Sequence, residues 1–357
     1  MPISDSRLDE LTTSAIQLLL ELTAIPAYSK EEDQKSQKLV ENLTRMGFAP
    51  YRLLNNVILS EQPELTKPVL LLNSHIDTVK PVSGWNLDPH RPFIKDDKLF
   101  GLGTNDAGAS VVCLIMAYHY LSQKNQPYQL ILAATAEEEI SGYQGIQHVL
   151  DQIAPVDFAI VGEPTNMQMA VAEKGLMVID AVATGRSGHA AREEGINAIY
   201  EALMDIDTIR NFRFEKVSDY LGENKATVTV IHSGTQHNVV PDRCDYIIDV
   251  RSNELYTNQE IYEVLQSMVK SKLTPRSFRL QSSSISLQHP VITRGTSMGL
   301  TEYGSPTLSD QALMVNPSLK IGPGLSSRSH TADEYIDVNE LREGIKIYIE
   351  LLDELEF

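Results

Sequence analysis

Small groups of side chains able to hold a divalent cation stand directly after apolar stretches of this chain. Ser74-His75-Ile76-Asp77 comes after residues 69–72, Glu137-Glu138-Glu139 after 128–134, and Glu163 after 158–161. Any one of these alone reads as a solvated turn. Together they form a pattern, because ligands of open α/β sheets gather in the crevice at the carboxyl ends of the strands. His75 and Asp77 are two residues apart, so in an extended segment both side chains lie on one face. Asp77 can then hold the second ring nitrogen of His75 and fix its tautomer, as carboxylates do behind zinc-bound histidines. GLGTNDAG at residues 101–108 has the outline of a phosphate-cradling glycine loop, but Asp106 takes the third glycine position and its charge opposes phosphate. A carboxylate on such a loop at a helix start suits a bridge between two cations instead. His330 lies in GPGLSSRSHTADE, a stretch whose Gly and Ser content lets a ligand approach closely.

These groups need a sheet to bring them together. Leu8, Leu11, Ile16, Leu19, Leu20 and Leu22 recur at helical spacing over residues 7–24, and Pro26 stops that helix. A second helix is expected from Ser29, its hydroxyl capping free N–H groups while Glu32 reaches back, and running to Met46. Apolar runs at 57–59, 69–72, 128–134 and 158–161 alternate with helical stretches at 109–122 and 143–151. Uniformly apolar strands between helices predict a largely parallel sheet covered on both faces. After about residue 172 the character changes: strands are expected at 175–184, 226–233, 244–251 and 278–283, with helices at 195–210 and 258–270. That order is the split βαβ pattern of a small α+β domain. The reading is therefore an α/β protein, with residues 1–172 and 289–357 as one domain, ending in a helix at 338–354, and residues 173–288 as an insertion.

Composition narrows the function. With 357 residues, 42% hydrophobic and 22% charged, the chain is long enough for two cores and is neither disordered nor fibrous. A net charge of −18 repels phosphate backbones and argues against nucleic-acid binding. Cys113 and Cys244 are far apart and lack CxxC spacing, which fits a reducing compartment rather than a disulfide framework. Asp5, Asp9 and Glu10 interrupt any leader-like apolar start, so the N-terminus reads as mature sequence. The best apolar run, 109–118, is half the length of the roughly 20 residues a membrane helix needs. A cytoplasmic protein without membrane attachment is expected.

SHIDTV at 74–79, the loop ending in Asp106, TAEEE at 135–139, GEPT at 162–165 and SHTADE at 329–334 resemble, in order and spacing, the M20 metallopeptidase family. The whole chain looks like its acetylornithine deacetylase and succinyl-diaminopimelate desuccinylase branch. The resemblance implies a zinc-peptidase-type catalytic domain with an inserted ferredoxin-like lid and dimerisation domain. It implies two zinc ions, or cobalt or manganese in their place, bridged by Asp106. His75 and Glu163 would complete one site, and Glu139 and His330 the other. Glu138 resembles the general base and Asp77 the residue orienting His75. GRSGHAAREEGINAI at 185–199 also matches, implying that His189 reaches a partner subunit's active site as an oxyanion donor and that the protein is a homodimer. HNVVPD at 237–242 and DVR at 249–251 imply Asn238 and Arg251 as substrate contacts.

The implied substrate is a small N-acyl amino acid, N-acetyl- or N-succinylornithine of arginine biosynthesis. A desuccinylase of N-succinyl-diaminopimelate or a dipeptidase would use the same chemistry, and a non-catalytic zinc-binding relative is the alternative from another class. Two positions depart from many relatives: Leu102 stands where they carry Arg, and Gly108 where they carry Lys.

Overall fold

The computed structural model describes residues 3–60, 66–192 and 194–357, so Glu193 of the 185–199 motif lies outside the described residues. The chain divides into two compact units. One comprises residues up to Val171 with Ile285–Tyr303 and Ser309–Phe357, the other Ala172–Ser284 with Gly304–Leu308.

In the first unit a mixed sheet runs in the order Tyr51–Leu53, Asn56–Ser60, Gln129–Thr135, Val69–His75, Phe158–Val161, Ser318–Lys320, Met169–Glu173. Its four central strands are parallel. They are buried along their whole lengths, which is why three of them read as largely apolar runs; the fourth, Ser318–Lys320, is buried just as fully but carries Ser318 and Lys320, and no apolar run announces it. The two-residue period still sorts their side chains: Leu70 and Leu72 enter one core cluster and Val69 and Leu71 the opposite one. Helices Asp5–Thr23, Ala109–Leu121 and Val338–Leu352 close the first face; Ile146–Leu150 lies on the second. Parallel register sets His75 beside Thr135 and Asn73 beside Val161. Three strands thus end together, and their C-terminal turns emerge at one edge of the sheet.

In the second unit four antiparallel strands run in the order Lys225–Ser233, Arg243–Ser252, Gly175–Thr184, Lys272–Pro275. Helices Ala198–Asn211 and Asn258–Met268 share its core. With the helices in chain order this is the ferredoxin-like arrangement.

Three local expectations change. The second helix spans Asp33–Arg45, and Glu32 at its cap makes no capping bond. Glu32 is fully buried and instead accepts the Lys30 and Glu137 N–H groups at 2.7 and 3.2 Å and the Asn55 amide at 2.9 Å. Ser29 is drawn to Asp77. The helix expected at 143–151 shortens to Ile146–Leu150. The last strand of the small sheet is Lys272–Pro275 rather than 278–283; Leu273 is its one buried residue, so no apolar run announces it.

Candidate metal centre

The turn after Val69–His75 carries His75 inward, 1% exposed. Its Nδ1 donates to the Asp77 backbone carbonyl at 3.0 Å, with Asp77 Oδ1 at 3.5 Å. The tautomer is thus set chiefly by the main chain of Asp77 rather than by its carboxylate. Asp77 spends that carboxylate elsewhere: Oδ1 accepts the Glu138 N–H at 3.1 Å, and Oδ2 accepts the Glu139 N–H at 3.2 Å and the Ser29 hydroxyl at 2.7 Å. One buried carboxylate holds the ends of two strands in register.

His75 Nε2 is left facing acids. Asp106 Oδ1 lies 3.2 Å away, Glu163 Oε1 3.8 Å and Glu138 Oε2 3.9 Å. Asp106 turns its other oxygen, Oδ2, to His330 Nε2 at 3.6 Å, and His330 meets Glu139 Oε2 at 3.0 Å. Two sets of donor atoms, from His75, Asp106 and Glu139 and from His75, Glu138 and Glu163, each lie within 4.8 Å of one another. All seven positions expected here, from His75 to His330, come together in the first unit. Glu137 stands apart and accepts the Gln144 N–H.

The charge balance is lopsided. Burial, together with Asp106 and Asp310, pushes Glu163 up to about 8. Burial and the neighbouring acids raise Glu138 well above the carboxylate range, against the pull of His75. His75 resists burial and sits well above a normal imidazole because Glu138, Asp106, Asp77 and Glu163 surround it. His330 rises to about 9 through its bond to Glu139. Glu138 and Glu163 keep their protons unless other cations replace them, while Asp106, against its burial, is held below the usual carboxylate range by His75. Imidazole nitrogens and carboxylate oxygens at these spacings are the donor types of divalent first-row ions, and an aspartate with one oxygen toward each histidine fits a bridge between two of them.

Sequence reasoning passed over several supports. Asp310, buried, accepts from Asn73 at 2.8 Å and Thr135 at 2.9 Å, and burial lifts it to about 6. Lys35 is 6% exposed; its Nζ donates to the Ile76 carbonyl at 3.1 Å. Burial draws it down to about 8 against the attraction of Asp77, Glu334 and Glu32. Nothing in local sequence marks either residue, because both act across long chain separations. Gly108 has a steric reason: a Cβ there would stand 2.4 Å from the Gly103 carbonyl oxygen and 2.8 Å from Leu19. Leu102 is buried.

The remaining expected residues lie in the second unit. His189 is exposed and adjoins Asn238: the Ala190 N–H bonds the Asn238 carbonyl at 3.0 Å, and His189 pairs with Val239. His189 Nδ1 accepts the Ala191 N–H at 3.1 Å, leaving Nε2 to carry the proton. Arg251 is engaged in a two-pronged bond to Asp249 at 2.8 and 3.1 Å.

The chain is similar in sequence and fold to known proteins. Acetylornithine deacetylase of Proteus mirabilis (strain HI4320) is 28% identical over 289 residues, 75% of either chain. Succinyl-diaminopimelate desuccinylase of Pelagibacter ubique (strain HTCC1062) is 24% identical over 384 aligned positions, 96% of this chain and 98% of the relative. Among solved structures, aminopeptidase PepT from Bacillus cereus ATCC 10987 superposes with a TM-score of 0.76 at 19% identity, covering 96% of this chain and 98% of that one. The Bacillus subtilis YXEP protein, described as a dinuclear metal binding peptidase, gives 0.74 at 16% identity, again covering 96% and 98%. The pattern of the peptidase family M20/M25/M40 extends over residues 71–354, the span that contains every acid and imidazole of the centre, and the chain belongs to that family of metallohydrolases.

Proposed function

We propose that this protein is a two-zinc amidohydrolase that removes the acyl group from the α-amino nitrogen of an N-acyl amino acid, with N-acetyl- or N-succinylornithine of arginine biosynthesis as substrate. The observation that carries the proposal is Asp106, whose two oxygens face His75 and His330 separately at 3.2 and 3.6 Å. In this reading His75, Asp106 and Glu163 hold one ion and Asp106, Glu139 and His330 the other. Such a pair, when bound, polarises a scissile carbonyl and lowers the pKa of a water. Glu138 opens on the same space, takes the proton of the attacking water and returns it to the departing amine. Asp77 keeps His75 and both glutamates aligned while this happens. His189 offers its Nε2–H to the developing oxyanion of a partner subunit. Asn238 contacts the substrate beside it, and Arg251 binds the substrate carboxylate by exchanging Asp249 for it.

The second unit suits a homodimer. Tyr200, Leu203 and Met204 on helix Ala198–Asn211 are exposed, as are Val230 and Ile231 on Lys225–Ser233, the strand at the sheet edge. An open edge strand with exposed apolar side chains invites pairing with a second copy. No described helix is long and apolar enough to cross a membrane, and both cysteines are free and buried, in keeping with a cytoplasmic enzyme. The charge of −18 favours a substrate with a cationic side chain, such as the δ-ammonium of an N-acylornithine.

The test is amine release from N-acetylornithine, N-succinylornithine, N-acetylcitrulline, N-succinyl-diaminopimelate and a dipeptide, with bound metal measured alongside. Turnover of the ornithine derivatives with two ions per chain is expected. Turnover confined to the diaminopimelate derivative or the dipeptide would reassign the substrate, and metal binding without turnover of any would point to a non-catalytic relative.

A further inference from the structure

Asp106 and His330 sit on loops more than two hundred residues apart, and their relative placement needs a cause. The loops flank a pair of antiparallel strands, Lys98–Phe100 and Tyr335–Asp337, with Phe100 opposite Tyr335. Glu334 is the residue just before the second strand. Its backbone carbonyl extends the ladder by accepting the Gly101 N–H at 3.0 Å. Its side chain, 2% exposed, turns under the Asp106 loop: Oε2 accepts the Gly103 N–H at 2.9 Å, and Oε1 accepts those of Asn105 at 2.8 Å and Asp106 at 2.9 Å. The Asp106 loop answers with Asn105, fully buried. Asn105 Oδ1 accepts the Leu325 N–H at 3.0 Å and Nδ2 donates to the Leu325 carbonyl at 3.1 Å. Gly324 is required for this closeness, since its φ is +86° and a Cβ there would stand 2.3 Å from Asn105 Oδ1.

We propose that Glu334 and Asn105 are positioning residues which lock the Asp106 loop to the His330 loop and so set the spacing of those two side chains; the proposal rests on the two-cation reading of the centre. Both oxygens of Glu334 are taken up by loop N–H groups, which separates its role from that of a ligand. Removing an acceptor here strands buried N–H groups with no solvent to replace it. The slack would fall on Asp106, whose own N–H is held, and on His330, four residues before Glu334.

The experiment compares wild type with Glu334→Gln, Glu334→Asp and Asn105→Ala. Hydrogen exchange of the metal-free proteins reads the loops directly, and zinc ion alone, titrated against a chromophoric chelator, reads the centre. Glu334→Gln and Asn105→Ala should speed amide exchange tenfold or more within residues 101–106 and 322–334 while leaving the sheet strands protected. They should weaken zinc binding about 10- to 100-fold, with kcat recovering at saturating zinc and KM unchanged. Glu334→Asp, which keeps both acceptor oxygens, should fall between. If Glu334→Gln does not fold, Asn105→Ala carries the same comparison. Unchanged exchange and zinc affinity would overturn the proposal, as would a loss of protection spread evenly through the first unit. A wild-type chain that binds no zinc would defeat the two-cation reading instead, and the exchange measurement would still decide the clamp.

Discussion

Asp106 is shared by two histidines and Glu138 by none of the proposed ion sites, so substitutions at the two positions should part company. Asp106→Ala should abolish binding of both ions, measured as metal per chain after dialysis. Glu138→Gln should keep both while kcat falls about 10²- to 10⁴-fold; an unchanged kcat would remove it as the base. Crowding of the acids also gives the metal-free protein a pH signature. Folding raises Glu163 from 4.5 to about 8, Asp310 from 3.8 to about 6, Glu334 from 4.5 to about 7 and His330 from 6.5 to about 9. Each holds its proton more tightly folded than unfolded, so the native state carries more protons across that window and stability falls as pH climbs. The melting temperature of metal-free protein should therefore drop between about pH 5 and about pH 8, and saturating zinc should flatten the slope by displacing those protons. A flat profile without metal would count against the crowding. The metal-capable types were legible in sequence because they stand at the ends of apolar strands; the fixing of His75 by a main-chain carbonyl was not, since backbone direction at a strand end leaves no mark on residue type.

Close backbone packing governs the loop that delivers Asp106. Gly103 has φ +76°, and a Cβ there would meet Thr78 at 2.5 Å; Gly108 is closed off by the Gly103 carbonyl and Leu19. Gly108→Ala should cost about 1–3 kcal/mol of stability, as overpacking does elsewhere. Thermal melting reads it, and a neutral result would mean the loop has room to spare. Gly108→Lys should be no better tolerated. Most of the fold was readable because three central strands are largely apolar and buried on both faces, helices Asp5–Thr23 and Val338–Leu352 carry apolar stripes, and Ala109–Leu121 is apolar almost throughout; Ser318–Lys320 was not, because its serine and lysine break the pattern. Lys272–Pro275 escaped because it pairs by backbone alone with a single buried side chain. Ser29 and Glu32 misled because a serine with a glutamate three residues later is also what two separate hydrogen-bonding tasks look like. Ser29 is held by Asp77, and Glu32 serves Asn55 and Glu137 as well as nearby Lys30, so most of their partners are distant in the chain.

An exposed edge strand and three apolar side chains on the adjoining helix give the proposed homodimer its test. Ile231→Lys combined with Met204→Glu should give a monomer by sedimentation, with the melting temperature of the first unit unchanged, and activity should fall with the dimer. A variant that stays dimeric would move the interface elsewhere. If His189 acts across the dimer, mixing His189→Ala chains with Glu138→Gln chains should restore part of the activity, because one site in each mixed pair is whole. No recovery would confine each active site to its own chain. Lys35 bears on how such samples can be prepared. It is a positive charge built into the polypeptide beneath the acids, tied to Ile76 and drawn to Asp77, Glu334 and Glu32, and no chelator can extract it. Stripping the ions below about pH 8, where Lys35 keeps its charge, should thus yield a protein that waits in its native form and can be reloaded with a chosen divalent first-row ion, without a refolding step.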